Sequence, residues 1–217
     1  ELFAQIANAF DRAAEGLEED LTSERLALLD EALSMLGEED SALKAFTLAT
    51  RARAAAAAAN ARAGLAAFGA FAMFGPRDDD ILAQAREAVA MAERVGDDDV
   101  IVWAITNLHQ YASGPDNDAE QLALIERAVA AAQRARSMQA ESRAYGARGD
   151  DLLQLGDMDE FRRNAERCAA LAESLRIGVT TAVMMQVGVE VAEGKLASAE
   201  ARLDGYASSA THVSHVF

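Results

Sequence analysis

The chain has 217 residues, of which 51% are apolar and 26% charged, the balance of a folded globular domain rather than of a disordered chain. Its formal net charge is −16, and so acidic a surface repels phosphate backbones and anionic lipids. We therefore expect no nucleic-acid binding through this chain and no membrane binding. The chain is rich in alanine and has only two prolines, which favours helix nearly throughout and predicts an all-α protein.

Cysteine usage and apolar run lengths indicate the compartment. Cys168 is the only cysteine, so no intrachain disulfide can form, which suits a reducing cytoplasm. No apolar run approaches the roughly 18–20 residues of a membrane span. No signal peptide is recognisable, so we expect a cytoplasmic protein. The first residues already follow an amphipathic pattern without an initiator methionine, and we expect a fragment of a longer protein.

The N-terminal part of the sequence predicts several helices. Residues 1–16 form one, and Thr22 or Ser23 can cap the next. Ser41 then opens an alanine-rich stretch that continues to residue 74. This stretch is either one helix or two, and its possible breaks are Asn60 and Gly64.

Glycine turns become regular in the rest of the chain. Gly75, Gly114, Gly156 and Gly194 follow one another at intervals of 39, 42 and 38 residues. Glycine ends helices because it tolerates the left-handed conformation, and acidic residues after the turn sit at the positive end of the next helix dipole. These turns therefore predict that helix pairs repeat along the chain.

The second helices of these pairs resemble one another. Ala88, Ala128 and Cys168 occupy the same place in three of them, each 40 residues after the last, and small residues there let helices approach closely. A helix pair that recurs every 38 to 42 residues predicts an α-solenoid of about five antiparallel hairpins. We expect one repeat domain over residues 1–208 and a flexible tail at 209–217. The predicted first helices are 98–113, 138–155 and 178–193.

The unit around residues 143–175 resembles a tetratricopeptide repeat. Gly149 lies in its first helix, Gly156 and Asp157 form its turn, and Cys168 follows Gly156 by 12 residues in its second helix. The longer spacing and the acidic turns resemble the tetratricopeptide-like segments of large bacterial ATP-dependent transcriptional regulators or ATPase-linked cyclases. In such proteins the helical array is the sensor or partner-binding arm. The resemblance implies a non-catalytic scaffold for a protein, a peptide or a small-molecule effector.

In a tetratricopeptide array the first helices line the concave face, where ligands usually lie. Transferring the register of the repeat gives five candidate binding residues, and charges on such a wall need solvent or a partner. Val191 falls on the same face, whereas the only tryptophan, Trp103, is expected to pack between helices. The candidates are Tyr111, Arg143, Arg148, Asp150 and Met184.

Motifs for chemistry are missing from the sequence. There is no phosphate-binding glycine loop, and the acidic runs at 78–80 and 97–99 each precede a helix, where capping explains them. Cys168 is expected to be buried and inert. We therefore predict no enzyme activity, no cofactor and no metal site. Two alternatives stay open: a freestanding homodimerising adaptor, and a small helical metal-dependent enzyme that uses His212 and His215.

Overall fold

The computed structural model describes residues 2–6, 21–62, 78–112, 117–175 and 179–213. Every regular element within these ranges is a helix, so the predicted all-α class is confirmed. None of the helices described is both long and apolar enough to cross a membrane. Residues 2–6 are helical. The other helices are α1 (Leu21–Met35), α2 (Ala42–Arg62), α3 (Asp79–Val95), α4 (Asp98–Ala112), α5 (Asp118–Ala135), α6 (Met138–Leu155), α7 (Met158–Leu175), α8 (Val179–Ala192) and α9 (Leu196–Val213).

The chain divides into two compact units, Glu1–Arg136 and Ser137–Phe217. Unit 1 contains α1 to α5, and unit 2 contains α6 to α9. A single repeat domain over 1–208 stays a prediction. Helix α9 continues to Val213, so the first part of the predicted tail at 209–217 is helical. The remainder of that tail lies outside the described residues.

Helix α2 is the centre of unit 1. It packs against α1, α3 and α4, and α4 in turn packs against α3 and α5. The alanine run explains why three helices fit around α2: Ala54, Ala55, Ala56 and Ala58 are all buried, and their methyl groups let neighbouring helices come close. Leu29 of α1 is fully buried in the same core.

Trp103 fixes α4 against α2. Its side chain is 5% exposed, and its ring stacks on that of Phe46 with the ring centroids 4.8 Å apart. The indole Nε1 donates a hydrogen bond to the Thr50 hydroxyl at 3.1 Å. The guanidinium carbon of Arg53 lies 5.6 Å from the ring centroid, within cation–π range. The expectation that Trp103 packs between helices is confirmed.

Unit 2 is a succession of four helices in which neighbours pack together and α6 also contacts α8. Glycines permit the closest approaches. A Cβ atom added at Gly146 of α6 would lie 3.3 Å from Thr181 Cγ2 of α8. One added at Gly188 of α8 would lie 3.2 Å from two ring carbons of Phe161 on α7. The glycines therefore set how near α8 lies to its neighbours.

Buried side chains recur every 40 residues in α3, α5 and α7, and Ala88, Ala128 and Cys168 are among them, as predicted. The interval to α9 is 38 residues, because buried Ala199 follows buried Phe161 by that distance. The other recurring sets are Ile81, Gln121 and Phe161; Ala85, Ile125 and Ala165; Met91, Ala131 and Leu171; and Ala92, Ala132 and Ala172.

Left-handed residues end the helices at the turns. Gly156 and Gly194 have φ of 75° and 74°, which confirms the helix ends predicted there. Gly96 has φ of 76°, and Arg136, 40 residues later, adopts the same conformation without being a glycine, with φ of 53°. The predicted turns at Gly75 and Gly114 lie outside the described residues.

Two details of the N-terminal prediction are now resolved. The Ser41 hydroxyl accepts a hydrogen bond from the Lys44 backbone N–H at 3.1 Å, so Ser41 caps α2 as expected. Thr22 and Ser23 lie inside α1, so the prediction that one of them caps it is wrong. Asn60 lies within α2 and does not break it, whereas Gly64 lies outside the described residues.

Candidate functional site

Four of the five predicted binding residues belong to unit 2. Arg143, Arg148 and Asp150 are on α6, and Met184 is on α8. Tyr111 is on α4 of unit 1. We therefore describe the two units separately, starting with α6 and α8.

Arg143 and Asp150 are exposed and share one face of α6. Seven residues separate them, which is nearly two helical turns, or about 10 Å along the axis. Gly146, which approaches Thr181 of α8, lies between them in the sequence and near the same face. The two charged side chains therefore flank the contact between α6 and α8.

Helix α8 presents apolar side chains to solvent beside that contact. Met184, three residues after Thr181, is 43% exposed, and Val191, seven residues further on the same face, is 50% exposed. Large exposed apolar side chains on one helix face mark a surface that a partner can cover. We call Arg143, Asp150, Met184 and Val191 the first-helix surface.

Arg148 is directed elsewhere. Its side chain is 16% exposed, and its guanidinium contacts Glu160 at 3.4 Å and the Asn164 side-chain oxygen at 3.5 Å, both on α7. The hydrogen bond from Arg163 to Glu160, together with the contact from Arg148, lowers the pKa of the Glu160 carboxyl. Arg148 thus joins α6 to α7 and lies about 140° around α6 from Arg143.

Asn164 is a buried polar residue that sequence reasoning missed. It is 2% exposed, and its amide nitrogen donates to the Tyr145 carbonyl at 2.8 Å. The same nitrogen lies 3.6 Å from Met185 Sδ and 3.9 Å from Cys168 Sγ. Gly149 is part of this cluster, because a Cβ atom there would lie 2.2 Å from Met185 Cε. The cluster joins α6, α7 and α8 and fills the space that the glycine leaves.

Cys168 is buried, as predicted, and we expect its thiol to be unreactive in the folded protein. Burial raises the pKa of the Cys168 thiol to about 11. At pH 8 only about one thiol in a thousand is then the reactive thiolate. Titration with Ellman's reagent at pH 8 should give no rapid reaction in the native protein and one full equivalent in denaturant. Rapid stoichiometric reaction of the native protein would contradict this expectation.

Tyr111 supports the start of a helix. Its hydroxyl accepts a hydrogen bond from the backbone N–H of Asp78 at 2.6 Å and lies 3.3 Å from the Asp78 carbonyl oxygen. Asp78 is the N-cap of α3. Tyr111 thus joins the end of α4 to the start of α3, a structural contact within unit 1.

The acidic runs cap helices. Asp78 accepts from the backbone N–H of Asp80 at 2.9 Å, Asp97 from Val100 at 3.1 Å, and Asp157 from Glu160 at 3.1 Å, which confirms the capping predictions. The part of the chain that the structure describes contains no group of three or more His, Cys, Asp or Glu side chains that could hold a metal ion. The His212 side chain and His215 lie outside that part.

A buried ion pair joins the last two helices. Glu190 of α8 is 8% exposed, and its carboxylate accepts from Arg202 Nη2 at 2.6 Å and from the Ser198 hydroxyl at 2.9 Å, both on α9. The hydrogen bond from Arg202 lowers the pKa of Glu190. An inward-facing glutamate on an otherwise apolar helix was the sequence signal for this pair.

Comparison of the chain with protein-family models and with curated proteins found no match. The function argued below therefore depends on the geometry just described. The likeness of residues 143–175 to a tetratricopeptide repeat adds support from the sequence.

Proposed function

We propose that the chain is a non-catalytic tetratricopeptide-like scaffold that binds a protein, a peptide or a small-molecule effector. On this proposal it is the sensor or interaction segment of a larger cytoplasmic bacterial signalling or transcription regulator. Bound effector would favour one conformation of the attached modules by binding it more tightly than the other.

The contacts between helices support the repeat part of the proposal. In unit 1, α2 and α4 act as first helices that contact each other, and each also packs against the helix that follows it. In unit 2, α6 and α8 have the same relation. The 40-residue recurrence of buried positions in the intervening second helices agrees with this alternation.

The first-helix surface is the observation that carries the binding proposal. Met184 and Val191 expose apolar side chains, which a partner stabilises by removing them from water. Arg143 and Asp150 add charges of opposite sign about 10 Å apart on the neighbouring helix. Apolar anchors between two opposite charges can select both the composition and the direction of an extended segment.

Selection from a random library of 12-residue peptides tests this proposal. We expect peptides enriched on the wild-type chain to bind a Met184→Asp variant about tenfold more weakly or worse, since the apolar anchor is replaced by a charge. An Arg143→Glu variant should change which peptides are enriched. Fluorescence anisotropy with labelled peptides measures both effects.

Met35→Asp is the matched control, because Met35 is an exposed methionine on α1 and is 61% exposed. It should leave the affinity unchanged. Enriched peptides that bind the wild type and Met184→Asp equally well would overturn the proposal, and so would a selection that enriches nothing.

A second candidate, a homodimerising adaptor, is favoured by the helical segment at 2–6. Leu2 is 70% exposed and Ile6 is 56% exposed, and the two lie one turn apart on one face. Ala4 between them is buried. Light scattering of the wild type and of a Leu2→Glu, Ile6→Glu variant tests this candidate, which requires a dimer that the variant loses.

A further inference from the structure

Each unit has an open groove at the same place in its repeat. In unit 1 the groove lies between α3 and α5, has α4 as its floor, and encloses about 540 Å³. In unit 2 it lies between α7 and α9, has α8 as its floor, and encloses about 620 Å³. Volumes of this size accommodate a small ligand or several side chains of a peptide. The two grooves can therefore be compared residue by residue.

Ion pairs bridge the groove of unit 1. Arg127 of α5 pairs with Glu93 of α3 across it. Arg134 of α5 pairs with Asp98 at the start of α4 at 2.6 Å. Exposed pairs contribute little to stability, but these two place guanidinium groups over the opening. The groove of unit 1 is thus closed by its own side chains.

The bridging arginine is missing from the groove of unit 2. Glu173 of α7 corresponds to Glu93, two intervals of 40 residues later, and it lines the groove as Glu93 does. Arg127 corresponds to Arg167 on α7 and then, after the shorter interval of 38, to Gly205 on α9. A Cβ atom at Gly205 would meet nothing within 4 Å. Glu173 consequently has no hydrogen-bond or ion-pair partner among the described residues.

The remaining lining is apolar or already neutralised. Val179, Ala182 and Val183 of α8 form most of the floor. Arg202 reaches the groove from α9, but its charge is balanced by Glu190. Glu173 therefore gives the groove a net negative charge above an apolar floor.

We propose that the groove between α7 and α9 binds a basic amphipathic segment of a partner protein. Its apolar side chains would cover the floor, and an arginine or lysine would pair with Glu173 in the place that Arg127 takes in unit 1. The unpaired carboxylate, the space before Gly205 and the apolar floor each match one part of such a segment. This surface is separate from the first-helix surface, so the two proposals fail independently.

Two synthetic peptides test the proposal. One is a fluorescein-labelled amphipathic helix of about four turns with leucines on one face and arginines beside them. The other carries glutamate in place of every arginine. With the whole chain, we expect the arginine peptide to bind about tenfold more tightly than the glutamate peptide, or better, in fluorescence anisotropy titrations.

Variants locate the binding. Gly205→Arg restores the bridge to Glu173 and should weaken the arginine peptide about tenfold. It should also raise the Tm, because glycine is replaced within an exposed helix. Glu173→Gln should weaken binding about two- to fivefold, the value of one exposed ion pair. Ala207→Arg adds the same charge roughly 200° around α9 from Gly205 and should change the affinity less than twofold.

The outcomes separate clearly. Loss of affinity in Gly205→Arg with little change in Ala207→Arg supports the groove. Equal losses in the two variants would show that binding follows net charge alone and would overturn the proposal. It would also be overturned by equal affinity for both peptides, by preference for the glutamate peptide, or by no binding. A Met184→Asp variant should retain affinity, which distinguishes this site from the first-helix surface.

Discussion

Replacement of Trp103 by alanine is expected to lower the free energy of unfolding of unit 1 by about 3–5 kcal/mol. The side chain is buried, stacks on Phe46 and donates a hydrogen bond to Thr50, and all three contributions are lost together. Alanine also leaves a cavity between α2 and α4. Urea denaturation followed by far-UV circular dichroism measures the effect, because the variant has no tryptophan fluorescence.

Trp103→Phe is the matched control. It keeps an aromatic ring to stack on Phe46 and loses the indole N–H, so we expect a cost of about 1–2 kcal/mol. If Trp103→Ala were no less stable than Trp103→Phe, the ring would not support the core, and our account of α4 would be wrong.

The same substitution at two glycines of unit 2 should have opposite effects. Gly205→Ala, in open space on α9, should raise the free energy of unfolding by about 0.5–1 kcal/mol, because alanine favours helix. Gly149→Ala gains the same propensity, but its new Cβ would be 3.1 Å from Asn164 Nδ2 and closer still to Met185. Crowding a packed core costs about 1–3 kcal/mol, so we expect a net loss of about 1–2 kcal/mol. Urea denaturation followed by circular dichroism measures both.

Met185→Ala identifies the cause of that loss. Combined with Gly149→Ala, it removes the side chain that the new methyl group meets. The double variant should then lose about 1 kcal/mol less than the sum of the single losses. Strict additivity would place the strain elsewhere, and a Gly149→Ala variant as stable as Gly205→Ala would show that no crowding exists.

Helix positions could be predicted well from local chemistry. The predicted first helix at 138–155 agrees with α6, and 98–113 and 178–193 differ from α4 and α8 only at their ends. Apolar periodicity and glycine turns decide such boundaries within one stretch of chain. Capping was equally predictable at Asp78, because the acceptor and the N–H groups are two or three residues apart.

The direction of individual side chains was less predictable. Arg143 and Arg148 lie on the same helix, but Arg148 turns towards Glu160 on α7 while Arg143 is exposed. That difference depends on where α7 packs. Asn164 likewise acquires its partner, the Tyr145 carbonyl, only when α6 and α7 come together. Thr22 and Ser23 lie within a helix because α1 begins at Leu21, against their local preference for caps.

Within each unit, helices contact only the next helix or the next but one, and this has a kinetic consequence. Contacts between residues close in sequence close short loops, whose formation costs little chain entropy. Proteins built from such contacts fold within microseconds to milliseconds, far faster than β-sandwiches of similar length. A growing chain could therefore complete each helix pair as it leaves the ribosome, before the next has been made.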